Sequence, residues 1–139
     1  MNTATFPADF ENLDPIRDFV GETAEQAGFS GKEVYSIQLA VDEACSNVIE
    51  HAYEGIPNGE IEITCDILPD QITIVIHDHG KEFDITTVRK PNLSRELNER
   101  EVGGLGVYLI RKLMDEVRFE SSKTTGNYLT LVKRKSRGT

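Results

Sequence analysis

Glu43 and Asn47, four residues apart in the run DEACSNVIEHAY, are the first side chains here whose types and spacing suggest chemistry, and His51 follows after four more. On a helix that spacing projects them to one side, with Cβ atoms about 5–6 Å apart. A carboxylate so placed can take a proton from a hydroxyl or a water. An amide oxygen beside it suits a hard cation such as Mg²⁺, which favours oxygen donors and keeps several of its waters. His51 reads as packing or capping. A second pair, Asp78 and Gly80, stands at a strand end, and by parity Asp78 falls on the apolar face. A carboxylate there needs a specific donor; beside a glycine that lets a flat ring approach, it would recognise an exocyclic amine such as that of adenine. The third group is Gly103-Gly104-Leu105-Gly106, which leads into a helical pattern. Backbone N–H groups and the positive end of a helix dipole commonly hold phosphates. Each group alone also has a plain reading, as a solvated helix face, a strand end or a hinge.

The elements that must position these groups follow from periodicity. From Ser30 to Tyr53, Val34, Ile37, Val41, Ala44, Val48 and Ala52 recur at helical spacing, and Ser30 with Glu33 forms a capping box. An earlier helix runs from Asp9 to about Ala27, with Pro15 in its first turn or marking its true start, and Asn2 to Phe6 reads as an edge strand that Pro7 ends. Strict alternation gives a strand through Ile61, Ile63, Cys65 and Ile67 and a second through Ile72, Ile74 and Ile76, paired as an antiparallel hairpin. A polar stretch from Gly80 to about Val102 is long enough to be a lid. A helix then runs to about Met114, Val117 and Phe119 suggest a strand, Thr125-Gly126-Asn127 a turn, and Tyr128 to Lys133 a closing strand. The expected fold is α+β, a two-layer sandwich with an antiparallel or mixed sheet and helices on one face.

The 139 residues form one expected domain with ordinary apolar (38%) and charged (28%) fractions. The net charge of −9 disfavours nucleic acid and anionic membrane as partners. No apolar run approaches a membrane span, the N-terminus lacks the sections of a signal peptide, and Cys45 and Cys65 read as reduced structural thiols, so the expected location is the cytoplasm. Lys133, Arg134, Lys135 and Arg137 form a small basic tail. His77 and His79 raise a metal reading, but neither CxxC nor HExxH accompanies them. The P-loop pattern GxxxxGK[ST] is missing, as are the HRD and DFG signatures of eukaryotic-type protein kinases.

In order and spacing, DEACSNVIEHAY, HDHGKEFD and GGLGVYLIRKLMDEV resemble the N, G1 and G2 boxes of the GHKL ATPase superfamily, and are most similar to the small bacterial anti-sigma factor serine/threonine kinases. The resemblance runs from about Phe6 to Arg134. It implies a Bergerat-type sandwich that binds Mg-ATP or Mg-ADP between the long helix and a lid at residues 81–102. It also implies phosphorylation of a serine or threonine on a small anti-anti-sigma (STAS-domain) protein, alternating sequestration of a sigma factor, and a homodimer. By position, Glu43 matches the general base, Asn47 the Mg²⁺ ligand, Asp78 the adenine-reading aspartate and Gly80 its companion. Gly103, Gly104, Leu105 and Gly106 match the phosphate side, and Thr130 a position near the adenine. Glu82 stands where DxGxG has its second glycine, although Phe83-Asp84 fits the anti-sigma subgroup. Arg100 is the first candidate for the lid arginine that meets the γ-phosphate, with Arg95 and Arg89 as alternatives. A second reading from another class is a nucleotide-dependent binding module that sequesters a regulator without phosphorylating it. A histidine-kinase catalytic half is disfavoured, as no helix with an acceptor histidine precedes the boxes.

Overall fold

Residues 1–84 and 104–136 are described by a computed structural model. Alternation decides the sheet: Ile61, Ile63, Cys65, Ile72, Ile74 and Ile76 are all fully buried, while Glu60, Glu62 and Asp66 between them are exposed. Strands β1 (Asn2–Pro7), β2 (Glu60–Leu68), β3 (Gln71–Asp78), β4 (Glu116–Ser122) and β5 (Gly126–Arg134) form one sheet in the order β1-β2-β3-β5-β4. Every pairing is antiparallel, which resolves the antiparallel or mixed alternative. β1 is the edge strand expected, and it ends at Pro7, whose missing N–H cannot extend the ladder.

Among the described residues three α-helices, α1 (Leu13–Gln26), α2 (Gly31–Asn47) and α3 (Gly104–Leu113), cover one face of the sheet. Ile16 and Val20 of α1, Ile37 and Val41 of α2 and Ile110 of α3 pack into a single core with the inward residues of β2, β3 and β5. α1 begins later than its periodicity predicts because a short 3-10 turn, Phe10–Asn12, precedes it, and Pro15 falls in its first turn, where no N–H is required. At the start of α2 both arms of the capping box are made: Glu33 N–H donates to Ser30 Oγ at 3.2 Å, and Ser30 N–H donates to Glu33 Oε1 at 2.9 Å. The second carboxylate oxygen of Glu33 accepts from the backbone and hydroxyl of Ser136, which fastens the end of the chain to this cap.

The end of α2 differs from a simple helix. The expected helix to Tyr53 is α-helical only to Asn47 and continues as a π-turn over Val48–Ala52, so that Tyr53 N–H donates to Val48 O, five residues back, at 2.9 Å. Such wider turns recur at functional sites. Here the widened turn lets Lys81 N–H donate to Ala52 O at 2.6 Å, which joins the end of α2 to the chain leaving β3.

Candidate active site

The last α-helical turn of α2 presents Glu43, partly buried, and Asn47, only 6% exposed. The four-residue spacing therefore does bring the carboxylate and the carboxamide together, as the helical pattern predicts. Gly106 in the first turn of α3 closes on them. A Cβ at this glycine would lie 2.7 Å from Glu43 Oε2 and 3.9 Å from Asn47 Nδ2, so a side chain here would have to displace the end of Glu43. Burial above all pushes the Glu43 carboxyl above its ordinary range, and the charges of Asp42 and Glu50 add to it. The result is a carboxylate more basic than a free one, as a proton acceptor requires.

Asn47 Nδ2 is the buried side-chain nitrogen left without a hydrogen-bond partner among the described residues. Leaving such a group unsatisfied costs about 1–3 kcal/mol, so a partner beyond the described residues is called for. Because no hydrogen bond to Nδ2 among the described residues fixes which end of the amide faces which way, the Asn47 oxygen can take either position. Among the described residues no group of three or more His, Cys, Asp or Glu side chains could hold a metal ion by itself. The amide oxygen of Asn47 is the donor type that suits a hard cation bringing most of its oxygens with it, as Mg²⁺ does on phosphates and water.

Next to Asn47 a slot is lined by Ala44, Val48 and Ala52 from α2 and its π-turn, Phe119 of β4, Leu129 of β5, Phe83 and the carboxylate of Asp78. The slot is apolar apart from Asn47 and Asp78, the lining that a flat heteroaromatic ring bearing a donor would take. Asp78 is 5% exposed, as strand parity predicts. Its Oδ1 accepts from Gly80 N–H and from Asn127 Nδ2, both at 2.8 Å. Burial pushes its carboxyl up, and the bonds from Asn127 and Gly80, followed by the neighbouring His77 and His79, oppose that shift. Gly80 is required by contact: a Cβ there would sit 2.6 Å from the carbonyl carbon of Ala52. His51 packs as expected, stacked on Phe83 with ring centroids 4.7 Å apart, and so backs one wall of the slot.

Two site residues come out differently from the sequence expectation. Thr130 is not in the slot. It pairs with Val75, whose side chain lies on the sheet face opposite Ile76 and Asp78, so the period of two puts Thr130 on the far side from the helices. The β5 residue that does reach Asp78 is Asn127, directly opposite it in the register and read from the sequence only as part of a turn. The signal available was parity, since Asn127 shares the inward face with Leu129 and Leu131. Gly104 and Leu105 begin α3 as expected, while Arg100, Arg95, Arg89, Gly103 and the greater part of the 81–102 lid lie outside the described residues. His77 stacks on Tyr128 at 4.1 Å and bonds Thr125 O at 2.6 Å.

Residues 6–133 match the sequence profile of the histidine kinase-like ATPase domain. The chain belongs to that family. Among the relatives of this histidine kinase-like ATPase, the serine-protein kinase RsbW of Bacillus subtilis is 33% identical over 119 residues, 83% of this chain and 74% of the relative. RsbW of Halalkalibacterium halodurans is 32% identical over 133 residues, 93% and 80% of the two chains. The fold matches the crystal structure of the RsbU and RsbW domains of Rv1364c from Mycobacterium tuberculosis with a TM-score of 0.68 at 18% identity, covering 99% of this chain and 34% of that one. This chain thus spans about a third of that solved chain. A histidine kinase domain from Erythrobacter litoralis matches with a TM-score of 0.55 at 17% identity, over 93% of this chain and 61% of the other. With these kinase relatives spanning most of its length, this ATPase-fold chain is an ATP-dependent protein kinase. No helix among its described residues is long and apolar enough to cross a membrane.

Proposed function

We propose that the protein is a cytoplasmic, homodimeric anti-sigma factor kinase. It transfers the γ-phosphoryl of Mg-ATP to a serine or threonine of a small STAS-domain anti-anti-sigma protein, and holds a sigma factor when that partner is modified. The observation that carries this reading is the convergence of Asn47, whose Nδ2 has no partner among the described residues, and the buried carboxylate of Asp78 on one slot, with Glu43 beside Asn47 where Gly106 approaches. In this reading Asp78 accepts the exocyclic amine of adenine, Phe83, Leu129 and Val48 enclose the ring, and the N-terminus of α3 faces the phosphates. Glu43 orients the partner's hydroxyl and takes its proton as the oxygen attacks phosphorus and the bond to ADP breaks. Its raised proton affinity suits that role. The Asn47 oxygen would hold magnesium, which when bound would supply charge neutralisation for the transferring group. Positioning and electrostatics carry most of the rate in phosphoryl transfer.

Glu43→Ala tests the assignment. It keeps ATP binding in calorimetry and loses label transfer from ATP to the partner by roughly 10²–10⁴-fold. Transfer at the wild-type rate refutes Glu43 as the base. Saturable nucleotide binding by the wild-type chain with no label on a cognate partner favours the non-phosphorylating binding module instead. Sedimentation of the wild-type chain tests the homodimer.

A further inference from the structure

We propose that Ser136 is a phosphoacceptor for an ATP-dependent serine kinase that reads basic residues beside its target, and that the added phosphate releases the segment after β5 from the start of α2. The site lies at the opposite end of α2 from Glu43 and Asn47 and has no part in the nucleotide slot.

Of the seven serines in the chain, Ser136 alone follows three consecutive basic residues, Lys133, Arg134 and Lys135, and Arg137 comes next. In a chain of net charge −9, such a cluster is where an acidic recognition surface gains most. Ser136 is exposed, so its hydroxyl is open to a second protein. It is held through a single oxygen: Ser136 N–H donates to Glu33 Oε2 at 2.6 Å, and the hydroxyl donates to the same atom at 3.0 Å. Glu33 is buried, and its Oε1 is taken by Ser30 N–H in the cap. Burial alone would raise the Glu33 carboxyl, but the donors from Ser30 and Ser136 bring it down to about 2, so it carries a full negative charge at neutral pH. Lys135 N–H donates to Asp70 O at 2.8 Å and its ammonium lies 5.4 Å from the centre of the Phe29 ring, which sets this segment against the turn between α1 and α2.

In the transfer the Ser136 oxygen bonds to the γ-phosphorus of ATP, the bond from that phosphorus to the ADP oxygen breaks, and the hydroxyl proton passes to the kinase's base. A phosphoserine carries about −1.5 to −2 charges at pH 7 and keeps no hydroxyl proton for Glu33. The start of a helix otherwise attracts an anion. At α2, however, Glu33 already stands there, and the new charge hangs on the oxygen 3.0 Å from its Oε2. One bond is lost outright and repulsion opposes the other, so the segment leaves the cap. Glu43 stands ten residues further along α2, about 15 Å away at 1.5 Å per residue.

The experiment incubates the full chain and the S136A variant with Mg-ATP and a serine kinase selective for basic residues before its acceptor. Mass spectrometry locates the phosphate, and amide hydrogen exchange is measured on the purified products. A parallel incubation without the added kinase subtracts any phosphate the chain transfers by itself. The wild type is expected to be phosphorylated at Ser136 and S136A to gain nothing at that position. After modification the Ser136 amide should exchange at least about tenfold faster, the loss of a hydrogen bond to a charged group. Nucleotide affinity should stay within about twofold, because the two ends of α2 are far apart. In Glu33→Gln, which keeps the shape and removes the repelling charge, the same modification should speed that exchange less than in the wild type. No phosphate on Ser136 of the folded chain overturns the acceptor assignment. A phosphorylated chain whose Ser136 amide exchanges at the unmodified rate overturns the release, and equal acceleration in Glu33→Gln and wild type overturns repulsion by Glu33 as its cause.

Discussion

Replacing Asp78 by asparagine changes one atom in the slot, and the structure dictates how the new amide must sit. Gly80 N–H and Asn127 Nδ2 both donate to Oδ1 at 2.8 Å. The asparagine can satisfy these two donors only by turning its oxygen toward them. Its own NH2 then replaces Oδ2, and a ring amine that met an acceptor meets a donor. The loss of a hydrogen bond to a charged group, about 1.5–3 kcal/mol, corresponds to roughly 10–150-fold in Kd for ATP or ADP at 1.4 kcal/mol per decade. Inosine triphosphate, whose carbonyl at position 6 now faces a donor, should gain relative to ATP. The fold should survive, because Oδ1 keeps both partners and a buried charge is removed. Isothermal titration with ATP and inosine triphosphate, alongside a thermal melt, measures all three outcomes. If folded D78N binds ATP within twofold of the wild type, the adenine contact is misassigned.

Other perturbations follow from close contacts and from one carboxylate. In Gly106→Ala the new methyl would stand 2.7 Å from Glu43 Oε2 and must displace that carboxylate; kcat should fall by up to about 10²-fold, and an unchanged kcat argues against Glu43 as the base. Gly80→Ala places its Cβ 2.6 Å from the Ala52 carbonyl carbon, a backbone clash worth about 1–3 kcal/mol, so its melting temperature should drop, and an unshifted melt refutes the contact. Glu33 responds to pH: burial alone would raise its pKa, but the amides of Ser30 and Ser136 and then their hydroxyls bring it down to about 2 from 4.5. Because the folded value lies below the unfolded one, its contribution is complete above about 4.5 and is lost as pH falls toward 2. Glu33→Gln should therefore flatten the acid limb of the stability curve between those values, and an identical limb shows that the tail anchor contributes nothing.

The contrast between Thr130 and Asn127 shows how far the sequence reaches. Local periodicity determined the strands, the apolar stripes of α1 and α2, the Ser30 cap and the pairing of Glu43 with Asn47, because each depends on residues a few positions apart and on a fixed helical or strand period. Parity alone also placed Asp78 on the buried face. The sequence order of the three boxes already indicated the family. What needed the tertiary structure was every relation between segments distant along the chain. Strand register set Asn127 opposite Asp78 across 49 residues and carried Thr130 to the far face. The contact of Ala52 with Gly80 and Lys81 accompanies the widening of the end of α2 into a π-turn, and the approach of α3 set Gly106 against the Glu43 carboxylate. These are packing decisions, made where two elements compete for the same volume and the same hydrogen bonds, and no single window of sequence contains both competitors.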